Sequence, residues 1–285
     1  MVSLLELKVW FRGLDEAKIL YAVFLRVIFM SGSWKPVLLQ SLNVVAFAVT
    51  VIVNGLASSL ALNGVTTAEV SDLYFTLVTP AGYVFSIWGI IYTLLLFFVV
   101  FQALPSQREK PFLKQINVLF ILSGVFNVVW LFLWHYDQIV LSVVLMFALL
   151  ATLIAIYLRL GVGKATVTLK EKVLVHLPFS VYLGWITVAS IANVASALVS
   201  VGWDGFGLAN DVWAVLVIAV ALLITLGVIA TRRDAAYSLV IVWALVGIAV
   251  NQSSYQNIVL AAVISAVTIA VALVVFLAVS KVKKK

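Results

Sequence analysis

Eight apolar runs separated by short polar gaps decide which solvent this chain of 285 residues can fold in. An α-helix rises 1.5 Å per residue, so ~20 apolar residues cross a hydrocarbon layer of ~30 Å. The runs predict helices over 39–62, 80–103, 115–134, 139–158, 174–199, 212–231, 235–250 and 257–280. The seventh is the shortest, pinned between Arg232, Arg233 and Asp234 on one side and Asn251 and Gln252 on the other. Only 10% of residues are charged and 65% are hydrophobic, against roughly 25% charged in a soluble domain. In lipid each helix must satisfy its own backbone, and gaps this short make neighbouring helices antiparallel. The expected fold is therefore an all-α polytopic bundle of eight transmembrane helices.

The charges orient it. All 18 Lys and Arg residues fall before residue 36, in the gaps at 104–114, 159–172 and 232–234, or in the tail from Lys281. The alternate gaps at 63–79, 135–138, 200–211 and 251–256 hold Glu69, Asp72, Asp137, Asp204 and Asp211 and no basic residue. Loops retained in the cytoplasm keep Lys and Arg, so both termini are expected there, with the chain integral to the plasma (inner) membrane. Omitting the seventh span would strand the tail lysines on the wrong side. A pI near 9.6 does not signal nucleic acid, because the positive charge is split among loops instead of forming one face. Membrane lipids are the expected partners of that charge. Residues 1–38 read as a cytoplasmic or interfacial segment, with 18–30 too short and too charged to span. The loop 63–79 reads as a tether or as a lid over the end of the bundle.

Buried ionisable groups that mark pumps and proton relays are missing from the predicted spans. His135 and His176 sit at opposite ends and cannot share a metal; His135, near the outer rim, suits packing or a contact with a haem-like ligand. With no cysteine, thiolate chemistry and Cys-ligated metals are excluded. What the spans do carry is aromatic and amide residues at helical spacing. Phe85, Trp88 and Tyr92 share a face of the second span; Asn127, Trp130 and Trp134 share one of the third; Tyr182, Trp185, Ala189 and Asn193 share one of the fifth. At 1.5 Å per residue Trp88, Asn127, Ala189 and Asn193 lie roughly 9–15 Å from the same end of the bundle, beneath the 63–79 loop. That is the pattern of a small-molecule pocket, and equally of helix-to-helix packing. Trp34, Trp203 and Trp213 read as interfacial belt residues, and Trp243 and Gly247 as packing. Leu153, Tyr157 and Arg159 match a loose sterol-contact pattern.

These motifs resemble the TspO family, the tryptophan-rich sensory proteins related to the mitochondrial translocator (peripheral benzodiazepine receptor) protein. Tyr182, Leu183, Gly184, Trp185, Ala189 and Asn193 reproduce the spacing of that family's fifth-helix motif; Asn127 and Trp130 match its third helix, and Tyr83, Val84, Phe85, Trp88 and Tyr92 are similar to its second. The resemblance covers about 40–200. It implies a five-helix bundle with a hydrophobic pocket closed by the loop after helix 1, binding porphyrins and other tetrapyrroles, and in some members sterols or benzodiazepine-like drugs. By motif position Trp88, Asn127, Trp130, Trp185 and Ala189 would line it. The second helix here is one residue shorter between Phe85 and Trp88, Pro178 stands four residues before Tyr182, and the last three spans have no counterpart in the five-helix pattern.

The resulting division is an N-terminal segment 1–38, a TspO-like five-helix bundle 39–200, and a three-helix extension with a basic tail 201–285. The expected function is binding of a flat hydrophobic ligand, porphyrin-like or sterol-like, for sensing or transport. The ligand-binding set is Phe85, Trp88, Tyr92, Asn127, Trp130, Tyr182, Trp185, Ala189 and Asn193, with Asn127 and Asn193 orienting polar edges. No cofactor is required, a porphyrin or haem-like ligand is possible, and a homodimer is compatible with the chain. The rivals are a passive transporter or channel for a small organic solute and a tetrapyrrole-degrading membrane enzyme.

Overall fold

The computed structural model describes residues 34–59 and 62–282, which are helical with no β-strand among them. The helices are α1 (Trp34–Ser58), α2 (Thr67–Leu73), α3 (Ile87–Ala103), α4 (Pro111–His135), α5 (Ile139–Arg159), α6 (Leu177–Ser200), α7 (Asn210–Arg232), α8 (Ala235–Asn251) and α9 (Gln256–Val282). A 3-10 turn, Gly82–Ser86, leads into α3, and a wide π turn, Lys172–His176, leads into α6. Seven of these helices are long and apolar enough to cross a membrane, and α8 is the short eighth at 17 residues. The interfacial helix expected over 18–30 lies outside the described residues.

Most helix ends fall close to expectation. The α-helix of the second span begins at Ile87 instead of 80, after its 3-10 turn, and the first span starts at Trp34 instead of 39. Pro36 is tolerated in its opening turn because that N–H has no helical partner to lose. Its polar face is then buried: Asn43 Nδ2 donates to Asn117 Oδ1 at 2.8 Å, Gln40 and Gln102 exchange side-chain to backbone bonds, and Asn54 Nδ2 reaches Asn127 Oδ1 at 2.8 Å. Residues 40, 43, 50 and 54 share one helical face, so α1 turns a polar stripe inward and apolar Val45, Val49 and Ile52 outward.

The first five spans close into a ring in the order α1, α3, α6, α5, α4, each packed on the next. Toward one end three phenylalanines fill its interior. Phe98, Phe120 and Phe179 meet edge to face with centroids 5.0–6.0 Å apart. This plug sits ~15 Å along α3 from Trp88, toward the end of the bundle that carries the basic loops. The opposite end is capped by α2. Thr66 and Glu69 form a reciprocal capping box, which holds the Glu69 carboxyl below its ordinary pKa. Trp134 Nε1 donates to Thr67 O at 3.2 Å, Asn63 Nδ2 to His135 O at 2.6 Å, and the Tyr74 hydroxyl to Asp137. The 63–79 segment is thus a folded lid tied to the end of α4, not a loose tether.

The last three spans attach to this ring through α8, while α7 packs mainly on α9 and α8. Gly184 permits the approach of α8 to α6, since a Cβ there would lie 3.0 Å from Tyr237 O. At the lid end α8 grips the segment that returns from the lid into α3. Gly247 O accepts from Ala81 N at 3.1 Å, Trp243 Nε1 donates to Val84 O at 3.2 Å, and Asn251 and Gln252 both donate to Thr79 O. At the basic end Asp234 is buried. Its carboxylate caps α8 through the N–H groups of Ala236 and Tyr237 and also accepts from Tyr157 Oη (2.9 Å) and Ser180 Oγ (2.6 Å). Tyr157 and Leu153 are therefore interior residues, and the sterol-contact reading of Leu153, Tyr157 and Arg159 fails: two of its three side chains do not reach lipid.

Candidate functional site

Beneath α2 the aromatic sets of α3, α4 and α6 converge. Trp88 is the hub: it stacks on Tyr92 (5.5 Å between centroids, 13° between planes), lies 6.4 Å from Trp130, and meets Tyr182 and Trp185 edge-on at 6.1 Å each. Phe85 meets Trp185 edge-on at 5.8 Å, and Trp130 stacks on Trp134 at 5.8 Å. Such pairs contribute about 0.5–1.5 kcal/mol each beyond their area burial. The convergence follows from local sequence: steps of three and four place each set on one face, and closure of the ring turns those faces inward.

Between them lies a small chamber. Phe85, Trp88, Trp130, Trp185, Ala189 and Asn193 line it, so six of the nine expected residues stand at its wall. Tyr92, Asn127 and Tyr182 do not; the two tyrosines stand behind Trp88. The lining also includes Thr67 and Ser71 from the lid, Pro80, Trp134, Val188 and Ala192. Spacing along the spans placed Trp134 on the right face, but nothing in the sequence marks which lid residues look downward. The enclosed volume is about 30 Å³, room for about one water. Pockets that hold drug-sized ligands run to roughly 300–1,000 Å³. The rings interlock and fill most of the space they enclose, so a tetrapyrrole enters only if α2 and the indoles move apart.

Both expected orienting amides are committed to the protein. Asn127 Oδ1 accepts from Asn54, and its Nδ2 donates to Tyr182 Oη at 3.1 Å. Asn193 Oδ1 accepts from Trp130 Nε1 at 2.9 Å, while its Nδ2 donates to Ser142 Oγ at 2.9 Å. An amide in hydrocarbon needs a partner, and here neighbouring helices supply it; the two residues set the positions of Trp130 and Tyr182 instead of presenting free groups. Among the wall residues Trp185 has a buried Nε1 with no partner, and the Tyr92 hydroxyl behind Trp88 is likewise unpartnered. A buried donor without an acceptor costs about 1–3 kcal/mol, which an acceptor oxygen on a ligand would recover.

His135 is buried at the lid end, with Nδ1 2.9 Å from Leu131 O and Nε2 unpartnered, but it is not part of the chamber lining. His176 lies in the π turn at the other end. No group of three or more His, Cys, Asp or Glu able to hold a metal occurs among the described residues.

A ring of five apolar helices under a folded lid, enclosing tryptophans from three of them, defines a polytopic membrane protein built around an aromatic site. Residues 40–277 match the family model described as TSPO-like protein, and the chain belongs to that family. The match runs on through α7, α8 and most of α9, so the expectation that resemblance would stop near residue 200 is not upheld. No curated protein and no solved structure matches the chain.

Proposed function

We propose that this integral membrane protein binds a flat apolar ligand, porphyrin-like in shape, among Trp88, Trp130 and Trp185, and that the lid helix α2 admits and retains it. The observation that carries this reading is the meeting of three indoles from three helices at one depth, with the Trp185 N–H unclaimed. Indoles stack on flat ring systems, and the lone donor gives such a ring one oriented hydrogen bond. Binding for sensing is favoured over passage through the bundle, because the Phe98, Phe120 and Phe179 plug lies on the route to the basic end. The alternating basic gaps support placing that end in the cytoplasm and the lid on the far side of the plasma membrane.

Purified full-length protein titrated with protoporphyrin IX is expected to show saturable quenching of tryptophan fluorescence at micromolar ligand. Trp185→Phe keeps a ring but removes the donor, so the Kd should rise about 5- to 10-fold, the equivalent of one modest hydrogen bond. Quenching that stays linear in ligand, or a Trp88→Ala/Trp185→Ala double variant that binds as well as the parent, contradicts the reading.

A further inference from the structure

A second cavity adjoins the aromatic one. It lies between α6 and the last three spans, also encloses about 30 Å³, and shares two wall residues, Val188 and Ala192, with the first. Its remaining lining comes from Val78 and Ile191, from Val217, Ile218 and Ala221 of α7, and from the α8 face carrying Ile241 and Ala244. Every one of its lining residues is aliphatic, whereas the first chamber adds five aromatic rings and three neutral polar residues, Thr67, Ser71 and Asn193, to its aliphatic wall. Val188 and Ala192 of α6 thus border both a compartment suited to a ring and one suited to a hydrocarbon chain.

At its observed volume the annex has no room for a chain, so a tail enters only if α7 moves off α6. α7 packs on α9 and α8 and makes no substantial contact with α6, so the annex is roofed by a helix whose packing lies elsewhere. Burying a hydrocarbon chain there recovers apolar surface without leaving any polar group unpaired. The aromatic side adds one requirement, an acceptor oxygen for Trp185 Nε1.

We infer that the ligand is bipartite: a flat ring bearing an acceptor oxygen, lying among the indoles, and an aliphatic tail that passes Val188 and Ala192 into the annex between α6, α7 and α8. This rests on the aromatic chamber being a ligand site, and it gives the last three spans a part in recognition. The test compares menadione, a naphthoquinone without a tail, with menaquinone-2, the same ring bearing a ten-carbon isoprenoid tail, by fluorescence titration of the full chain. The tailed quinone should bind about tenfold tighter or more, since each buried CH₂ contributes to affinity. Val217→Phe and Ala221→Phe, which fill the annex and do not touch the aromatic chamber, should erase most of that advantage and leave menadione binding unchanged; two variants guard against one that misfolds. A tail advantage absent in the parent, or equal in the parent and both variants, overturns the annex. Failure of both quinones while protoporphyrin IX still binds overturns this inference alone. Failure of all three probes removes the chamber and the annex together.

Discussion

Replacing Gly163 by alanine is expected to destabilise the protein by about 3 kcal/mol or more, a larger loss than the same change at the other glycines among the described residues. Gly163 has φ +77°, and a Cβ there would stand 1.9 Å from the carbonyl oxygen of Arg232. Both the strained backbone and the collision count, and the second is worse because the obstacle is main chain and cannot rotate away. This is the point where the α5 to α6 connection meets the α7 to α8 turn, so the change forces the ring and the last three spans apart. Gly202→Ala is the control: its φ is +67° but nothing lies within 4 Å, so only the conformational penalty of about 1–2 kcal/mol remains. Thermal denaturation of the two variants in one detergent checks this. Equal shifts for both would mean that the close approach at Gly163 is not real.

Asp234→Ala is expected to cost about 2–4 kcal/mol, by leaving two helix-capping N–H groups and the hydroxyls of Tyr157 and Ser180 without an acceptor. The gain from no longer burying a carboxylate reduces the loss but does not cancel it, since the stranded partners stay buried. Asp234→Asn retains an oxygen for the cap and should cost less than half as much. Hydrogen exchange at Ala236 and Tyr237 reads the cap directly: it should accelerate in the alanine variant and stay near the parent rate in the asparagine one.

The spans and the aromatic faces were legible because both signals are local. Hydropathy needs only a window of ~20 residues, and steps of three and four need only one helix. Arrangement around the ring is not local, and it decided what the sequence left open. Asn127 and Asn193 were recognisable as amides needing partners, yet only the packing of α1 against α4, and of α5 against α6, reveals that Asn54 and Ser142 are those partners. The inward stripe of Gln40, Asn43, Thr50 and Asn54 was hidden for the same reason, being four isolated interruptions in an apolar run. Asp234 stood at a helix end, as expected of an acidic residue here, but its burial depends on hydroxyls contributed by α5 and α6. Spacing also gives no measure of free volume: the indoles meet as their periodicity implied, while the space between them is set by how tightly rings of this size interlock.

The most direct test of the central claim is a structure determined with protoporphyrin IX retained. The account predicts the macrocycle between Trp88, Trp130 and Trp185, with α2 shifted off the chamber and the Phe98, Phe120 and Phe179 contacts intact. A macrocycle seated on the lipid-facing surface, with the indoles still interlocked beneath an unmoved lid, would contradict it.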